Sequence, residues 1–261
     1  MRILIASDAW VPQINGVVRT LMTTAEELET LGHEVHVIGP ERFPTVPVPS
    51  YPEIRVAVTP GRRLARMMDE LAPDAVHIPV EGPIGLAARR HCLRRRWSFT
   101  TSFHTRYGLY FQEKFGVPDD LVVMLQRWFH NAGNGFMVQT ESLERELRGK
   151  GFANIRRWCR GVDTTAFRPR STDGLPDLPR PVFTYVGRVS AEKNLLDFLR
   201  LDLPGTKLVV GDGPQLAEYR ERHPEVVFAG WKKGDELSSY YSLSDVFVLP
   251  SRFETFGLVL L

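Results

Sequence analysis

The chain has 261 residues, of which 43% are hydrophobic and 25% are charged, and its formal net charge is +2. This composition indicates a folded globular protein with one large domain or two modest ones, and it excludes the strongly basic class of nucleic-acid-binding proteins. The cysteines, Cys92 and Cys159, provide neither a disulfide framework nor a metal-ligand spacing. No apolar run reaches transmembrane length and no signal h-region precedes Asp8, so we expect a cytoplasmic protein.

The first part of the chain alternates between strand and helix patterns. Residues 2–6 predict a strand, residues 17–31 a helix with apolar side chains at helical spacing, and residues 34–38 a second strand. This order defines a βαβ unit with parallel strands. The proline-rich residues 44–52 predict a loop. The alternation then continues with helices or strands predicted at 62–71, 74–78, 83–95, 98–103, 119–131, 135–139, 141–150 and 155–159.

The second part of the chain repeats this pattern after a break. Residues 164–181 are rich in Pro, Ser, Asp and Gly and predict a linker. Beyond it, strands are predicted at 182–186, 207–211, 226–229 and 246–249, with helices between them. The predicted fold class is therefore α/β, with Rossmann-like, doubly wound parallel-sheet domains at residues 1–163 and 182–261. Because the pattern stops inside a helix that should begin near Gly257, we expect the second domain to be incomplete.

Residues 182–194 form the stretch with the clearest chemical character. A short β-branched and aromatic strand ends at Gly187, and Ser190 is placed to cap a helix that starts at Ala191. Arg188 and Lys193 flank this helix start, where free N–H groups already favour an anion. A guanidinium and an ammonium suit a diphosphate, although solvated loop charges explain the same residues.

Two further candidates follow strands of the first domain. Gly16 opens the first helix, where a glycine lets the main chain approach a phosphate closely. His104 lies just past the strand at residues 98–103, where a neutral imidazole could orient a hydroxyl or act near a reacting centre. A plain turn and a structural histidine are the alternatives. The histidines have no recurrent ligand spacing, so no metal site is predicted.

The second domain offers two more turns at the ends of strands. The Gly211–Pro214 turn lacks the dinucleotide and P-loop spacings and is expected to be a tight turn lining a cleft between the domains. Glu254 follows the last strand and could accept hydrogen bonds from sugar hydroxyls. The main-chain N–H groups of Phe256, Gly257 and Leu258 would point at an anion, while an acid favoured by the dipole at a helix entry is the structural alternative.

Basic side chains are concentrated on two predicted helices of the first domain. The arginines within residues 89–96 alternate with Leu86 and Leu93, and Arg62, Arg63 and Arg66 lie on the preceding helix. A solvated helix face explains this pattern. Attraction to an anionic membrane surface is the second interpretation.

Taken together, these motifs closely resemble the retaining GT-B glycosyltransferases of family 4. The resemblance covers nearly the whole chain, in order and spacing, and residues 8–16 and 77–85 look like the bacterial branch that includes α-mannosyltransferases and glycolipid glycosyltransferases. The matching motifs are Asn15–Val17, Ser102–Thr105, Gly161–Asp163, Phe167–Pro169, Gly187–Arg188, Glu192–Asn194, Gly211–Pro214, Pro250–Ser251 and Glu254–Gly257.

The resemblance implies a role for each candidate residue. Arg188 and Lys193 would hold the donor diphosphate, with Gly16 donating its N–H to the same phosphates. Glu254 would bind donor-sugar hydroxyls, and His104 would lie beside the sugar and the reacting centre; with Arg188 and Lys193 these are the expected catalytic residues. The other implied donor contacts are the main chain of Phe256, Gly257 and Leu258 and a base-stacking surface near Trp231.

The function implied is transfer of a hexose from a nucleotide-diphosphate sugar to a lipid-linked or saccharide acceptor, with retention of configuration. We expect no metal or other cofactor and no nucleic-acid partner. We do expect peripheral contact with the inner face of the cytoplasmic membrane. A GT-B nucleotide-sugar epimerase and a non-catalytic sugar-nucleotide-binding fragment are the alternatives. The family's second glutamate would fall just beyond Leu261, so we expect a truncated chain with weak or no activity.

Overall fold

The computed structural model describes residues 1–13, 15–48, 51–252 and 254–261, and these divide into two compact units, Met1–Arg160 and Gly161–Leu261. Each unit is an α/β unit whose strands and helices alternate. The strands of the first unit are β1 (Arg2–Ala6), β2 (Glu34–Ile38), β3 (Thr45–Val48), β4 (Tyr51–Ala57), β5 (Ala75–Ile78), β6 (Phe99–Ser102), β7 (Gly135–Val138) and β8 (Ile155–Arg157). Its helices are α1 (Gly16–Thr30), α2 (Gly61–Leu71), α3 (Pro83–Arg95), α4 (Tyr107–Phe115), α5 (Asp119–His130) and α6 (Glu141–Gly149).

The first unit is built on a six-stranded parallel sheet with the order β2-β1-β5-β6-β7-β8. The chain moves outward from β1 to β2 and then crosses back to β5 on the other side of β1. The strand order therefore reverses between β1 and β5. In open α/β sheets, ligands bind outside the carboxyl ends of the strands at such a switch point.

The second unit contains β9 (Val182–Val186), β10 (Thr206–Val210), β11 (Val227–Gly230) and β12 (Val246–Phe247), with α7 (Leu195–Leu199), α8 (Leu216–Arg222) and α9 (Gly234–Leu243). Its four parallel strands have the order β11-β10-β9-β12, so its switch point lies between β9 and β12. Val182 and Val186 pack in one apolar cluster and Tyr185 in another, which follows the period-two alternation of a strand buried on both faces.

The first unit differs from the sequence prediction in two places. The proline-rich segment predicted as a loop contains the antiparallel ribbon β3–β4, in which Pro47 pairs with Arg55. A proline is tolerated there because a two-stranded ribbon leaves outer edges where no N–H is needed. Helix α4 was not predicted. The predicted bounds of β1, β2 and α3 are confirmed.

The predicted helix after Ser190 is wrong in type. Residues Ala191–Lys193 form a single 3₁₀ turn, and Asn194 adopts a left-handed conformation (φ 52°) before the short helix α7 begins at Leu195. The Ser190 hydroxyl does not cap this turn but donates to Glu192 Oε1 at 2.6 Å. Lys193 therefore ends a tight turn instead of lying in the first turn of an α-helix. The helix expected near Gly257 is likewise a 3₁₀ turn, Leu258–Leu260.

The segment predicted as a linker, residues 164–181, belongs to the second unit. It has no regular structure, as its composition predicts, but it is fastened to α9. The Ser238 hydroxyl donates to the carbonyl oxygen of Arg168 at 2.9 Å, and the Arg170 N–H donates to Ser242 Oγ at 2.9 Å. The boundary between the units falls at Arg160 and Gly161, three residues before the predicted domain end at Asp163.

Candidate functional site

The switch point of the second unit brings together two predicted site residues. Lys193 lies in the segment that follows β9, and Glu254 lies in the segment that follows β12. Lys193 Nζ donates to Glu254 Oε1 at 2.5 Å, and the two side chains are 30% and 26% exposed. The cation expected to bind phosphate and the acid expected to bind sugar hydroxyls are therefore one ion pair at the edge where this fold binds ligands.

Other groups hold these two segments in place. Asn194 Nδ2 donates to the carbonyl oxygen of Pro250 at 3.3 Å, which ties the turn after β9 to the segment after β12. The buried Tyr185 hydroxyl donates to the Arg188 carbonyl oxygen at 2.8 Å. Burial, with the negative charges of Glu254 and Glu192, raises the pKa of Tyr185, so the phenol keeps the proton that it donates to Arg188. The Arg188 main chain is thereby fixed while its half-buried side chain extends from it.

Glycines allow the turns of this unit to pack main chain against main chain. The Val189 N–H donates to the Asp212 carbonyl oxygen at 2.9 Å, and the Gly187 N–H donates to the Val210 carbonyl oxygen at 3.0 Å. A Cβ at Gly211 (φ 149°) would lie 1.8 Å from the Gly187 carbonyl oxygen. The Gly211–Pro214 turn is thus the packing partner of the turn after β9, and its glycines are required by contact within the protein.

The remaining predicted donor contacts lie around the same sheet. Trp231 directly follows β11 and is 52% exposed, as a stacking surface requires. Lys233 Nζ lies 5.7 Å from its ring centroid. Gly257 adopts a left-handed conformation (φ 75°) that starts the Leu258–Leu260 turn. Phe256 and Leu258 are half-buried beside it. Because this is one 3₁₀ turn, the expected α-helical N-terminus is absent from the described residues at this position.

The switch point of the first unit is organised by Asp8, in the loop after β1. Its carboxylate accepts the N–H groups of Ile84 and Gly85, each at 3.0 Å, at the start of α3. A Cβ at Gly82 would lie 2.3 Å from Asp8 Cγ, so a glycine is required there. In the sequence, Asp8 stands out only as part of residues 8–16, which resemble the family. Burial raises the pKa of Asp8 to about 6, although the two hydrogen bonds oppose this shift.

The stability of the chain is expected to depend on Asp8 between pH 4 and 6. Its folded pKa of about 6 lies above the unfolded value of 3.8, so its contribution is complete below about pH 4 and lost as the pH rises through 6. Relative to Asp8→Asn, the wild-type chain should gain about 1.4 kcal/mol in free energy of unfolding between pH 7.5 and pH 5. Urea denaturation at both pH values measures this; parallel changes in the two proteins would show that Asp8 titrates normally.

Gly16 is the first residue of α1, and its neighbour Asn15 caps the helix. Asn15 Oδ1 accepts the N–H groups of Val17 and Val18, each at 3.0 Å. A Cβ at Gly16 would meet no atom within 4 Å. No packing within the described residues therefore requires glycine here, in contrast to Gly82.

Gly16→Ala should separate ligand approach from folding. Alanine in a helix is more stable than glycine by roughly 0.4–1 kcal/mol, so the melting temperature should stay or rise. If the Gly16 main chain contacts the donor phosphates, the Kd for the donor should weaken roughly tenfold, the value of one lost charge-assisted hydrogen bond. Gly61→Ala is the matched control, since Gly61 starts α2 and also faces open space. Unchanged donor binding in Gly16→Ala would remove Gly16 from the site.

His104 belongs to a chain of hydrogen bonds on the first unit. Its Nδ1 is 2.7 Å from an Arg160 guanidinium nitrogen, and its Nε2 is 2.7 Å from Ser102 Oγ. Ser102 Oγ is 3.2 Å from His77 Nε2, and His77 Nδ1 is 2.9 Å from Thr100 Oγ1. Burial lowers the pKa of His77 to about 4, and burial with the nearby Arg160 charge lowers the pKa of His104. Both imidazoles are therefore neutral at pH 7.

The sequence prediction did not identify His77, Ser102 or Arg160 as partners of His104. The parallel register places His77 opposite Thr100, on neighbouring strands β5 and β6. The Trp158 ring meets both imidazoles edge to face, with centroids 6.2 Å from His77 and 6.3 Å from His104. The pairing of strand ends is the signal that could have found this cluster, but it requires the strand order.

The membrane interpretation of the basic helix α3 is wrong for Arg89. Arg89 is 8% exposed, and it donates to the Trp128 and Phe129 carbonyl oxygens at 2.9 and 3.1 Å, which caps the last turn of α5. Arg95 is paired with Asp69 at 2.7 Å. Arg89 is therefore a structural residue, because a buried guanidinium bonded to carbonyl groups cannot reach a membrane surface. The other arginines of α3, Arg90 and Arg94, are exposed.

Comparison with known proteins defines the class of this chain. Residues 14–166 match the family profile Glycosyltransferase Family 4, and residues 180–261 match Glycosyl transferases group 1. With two Rossmann-like units and glycosyltransferase relatives along its length, the chain is a glycosyltransferase with the GT-B fold. It belongs to glycosyltransferase family 4.

Curated relatives agree with this class. A GDP-mannose-dependent alpha-mannosyltransferase of Corynebacterium glutamicum is 28% identical over 98% of this chain and 68% of its own length. An alpha-monoglucosyldiacylglycerol synthase of Streptococcus pneumoniae is 24% identical over the whole of this chain and 68% of its own length. The predicted resemblance to family 4 and to its mannosyltransferase and glycolipid branch is thereby confirmed.

Solved structures share the fold. Sucrose-phosphate synthase from Thermosynechococcus elongatus matches 99% of this chain and 77% of its own with a TM-score of 0.73 and 18% identity. Anabaena Alr3699/HepE, solved in complex with UDP, covers the same shares with a TM-score of 0.68 and 15% identity. Among the helices of the described ranges, none is long and apolar enough to cross a membrane.

Proposed function

We propose that the chain transfers a hexose from a nucleotide-diphosphate sugar to a lipid-linked or saccharide acceptor and retains the anomeric configuration. Arg188 and Lys193 hold the diphosphate, Glu254 binds hydroxyls of the donor sugar, and Trp231 stacks with the base. In the first unit, the main chain at Gly16 also contacts phosphate, and His104 lies beside the sugar and the reacting centre. No metal ion takes part, because guanidinium, ammonium and main-chain N–H groups balance the charge of the leaving nucleotide.

The observation that carries this proposal is the contact between Lys193 and Glu254 at the switch point of the second sheet. A cation beside a carboxylate offers one partner for phosphate oxygens and one for hydroxyl groups, which are the two polar parts of a nucleotide sugar. Relatives supply the first donors to test, since three of them are named GDP-mannose-dependent alpha-mannosyltransferases and two are named monoglucosyldiacylglycerol synthases.

The test is a donor panel with GDP-mannose, UDP-glucose and their nucleotide-exchanged counterparts, assayed with and without diacylglycerol and saccharide acceptors. Transfer should occur with one donor above the others, and NMR of the product should show the α configuration of the donor retained. Donor binding without transfer or hydrolysis would favour the non-catalytic alternative, and a changed sugar stereocentre in the recovered donor would favour the epimerase.

A membrane contact on the first unit would bring a lipid acceptor to the chain. Helix α3 exposes Leu86 and Leu93 at 43% and 46%, beside the exposed Arg90 and Arg94. The Arg89 guanidinium lies 3.7 Å from the Trp128 ring centroid, so α3 is adjacent to α5. The side chains that α5 exposes at helical spacing are Leu121, Met124, Leu125 and Trp128. Apolar side chains bordered by arginines fit the interface of an anionic bilayer.

Vesicle binding tests this contact. At about 1 kcal/mol for each lost cation, Arg90→Ala/Arg94→Ala should weaken binding to anionic vesicles roughly 30-fold. The control Arg145→Ala/Arg156→Ala removes the same charge from exposed positions elsewhere on the first unit and should bind as the wild type does. Equal sedimentation of the wild type with neutral and anionic vesicles would contradict the proposal.

A further inference from the structure

The hydrogen bonds around His104 form a series that can run in one direction only, because one end of the series must donate and the other end must accept. A guanidinium can only donate, so Arg160 donates to His104 Nδ1. At the other end, the Thr100 hydroxyl donates to the carbonyl oxygen of Val76 at 3.5 Å, and a carbonyl oxygen can only accept. Every proton between these two ends is thereby assigned.

The direction determines the tautomer of each imidazole. With its Nδ1 accepting from Arg160, neutral His104 carries its proton on Nε2 and donates to Ser102 Oγ. The Ser102 hydroxyl then donates to His77 Nε2, and His77 carries its proton on Nδ1, which donates to Thr100 Oγ1. The two histidines are thus held in opposite tautomers, and the assignment from the Arg160 end agrees with the assignment from the Val76 end.

We propose that Arg160 is a positioning residue that holds His104 in the Nε2–H tautomer with Nδ1 as a hydrogen-bond acceptor, and that Ser102 and His77 complete the chain that fixes this state. The proposal rests on the proposed function only in taking His104 as a contact of the donor sugar. In this state Nδ1 already accepts from Arg160 and Nε2 donates to Ser102, so neither ring nitrogen is left to exchange a proton with the donor. Arg160 therefore holds His104 as a fixed, neutral side chain beside the sugar, and His104 does not act as a general acid or base.

The burial of the cluster supports a fixed state. Ser102 is fully buried, and Trp158 meets both imidazole rings at interplanar angles of 83° and 80°, which restricts rotation of the rings. Hydrogen bonds in such a chain polarise one another in the same direction. The sheet also fixes the positions of His77 and Thr100, since they are register partners in β5 and β6.

The first test reads the tautomers directly and needs no activity. In protein labelled with ¹⁵N-histidine, long-range ¹H–¹⁵N correlation spectra at pH 7 distinguish protonated from bare ring nitrogens, and His77→Gln and His104→Gln assign the two signals by their loss. We expect His104 to be protonated only at Nε2 and His77 only at Nδ1. A proton on Nδ1 of His104, or the same tautomer in both rings, would overturn the proposal.

The second test uses Arg160 variants. Arg160→Met should release the His104 tautomer into a mixture and lower kcat about tenfold or more, the cost of lost positioning, with little change in the donor KM. Arg160→Lys should restore both the tautomer and most of kcat, because an ammonium also only donates. The control Arg156→Met removes an exposed guanidinium of β8 and should change neither.

The two tests separate this inference from the proposed function. If the wild type shows the expected tautomers but no transfer activity, the hydrogen-bond series is established and only the proposed function is rejected. Normal kcat in Arg160→Met, with the His104 tautomer shifted, would show that the tautomer does not matter for transfer and would overturn the positioning role.

Discussion

Replacing Lys193 with alanine is expected to lower kcat/KM about 30- to 800-fold, which corresponds to a loss of roughly 2–4 kcal/mol of transition-state stabilisation. The reason is that the leaving nucleotide gains negative charge as the glycosidic bond breaks, and Lys193 is the ammonium proposed to balance it. Stability should change little, because a partly exposed ion pair such as Lys193–Glu254 contributes about 0–1 kcal/mol. Arg188→Ala should have a similar kinetic effect.

A charge swap distinguishes donor binding from structural pairing. In Lys193→Glu/Glu254→Lys the ion pair can form again with its partners exchanged, so the melting temperature should be close to that of the wild type. Activity should stay as low as in the single variants, because phosphate would now meet a carboxylate. Arg222→Ala, which breaks the exposed Arg222–Glu218 pair, is the control and should keep normal kinetics. Recovery of kcat/KM in the swapped protein would show that the pair only holds the two segments together.

Gly211→Ala is expected to destabilise the second unit by roughly 2–6 kcal/mol, since overpacking and backbone strain each cost about 1–3 kcal/mol. The added Cβ would lie 1.8 Å from the Gly187 carbonyl oxygen, and alanine rarely adopts the φ of 149° found there. The clash cannot be relieved by rotating a side chain, because the Gly187 atoms that the new Cβ would meet belong to the main chain. The turn after β9, which ends in Lys193, would have to move.

Hydrogen exchange locates this effect. Amide protection should fall in β9 and β10 and stay unchanged in β1 and β5, because the contact lies within the second unit. Gly161→Ala is the control in the same unit, since a Cβ there would meet nothing within 4 Å. Equal protection of β9 in Gly211→Ala and Gly161→Ala would mean that the turns relax without cost.

Much of the fold could be predicted because its signals are local. Strand β9 and helix α3 have their predicted bounds, since each is a strongly patterned run that ends at a glycine or starts at a proline. The ribbon β3–β4 could not be predicted, because prolines argue against a strand unless its unpaired edges are known. The turn at Ala191–Lys193 was wrongly predicted as a helix because Ser190 resembles a helix cap in the sequence. In the structure its hydroxyl donates to the Glu192 carboxylate and accepts no main-chain N–H of the turn.

The positions of the candidate residues at the ends of strands could be predicted from the sequence, but their contacts could not. Lys193 and Glu254 each stand after a strand, yet their pairing depends on β12 lying beside β9, which is a property of the strand order. His104 was identified by its position after β6, whereas its partners depend on the register between β5 and β6. Arg160 gave no signal at all, since an arginine in irregular chain matches no pattern. The donor roles of these residues remain predictions.

The Lys193–Glu254 pair has a bearing on which anions can compete with the donor. Inorganic phosphate that binds Lys193 must separate the pair and leaves the carboxylate of Glu254 without its cation. A nucleotide sugar replaces both lost contacts, since its phosphate meets the ammonium while its hydroxyl groups donate to the carboxylate. Under the proposed function, the ion pair therefore favours binding of the nucleotide sugar over binding of the inorganic phosphate that is abundant in cells.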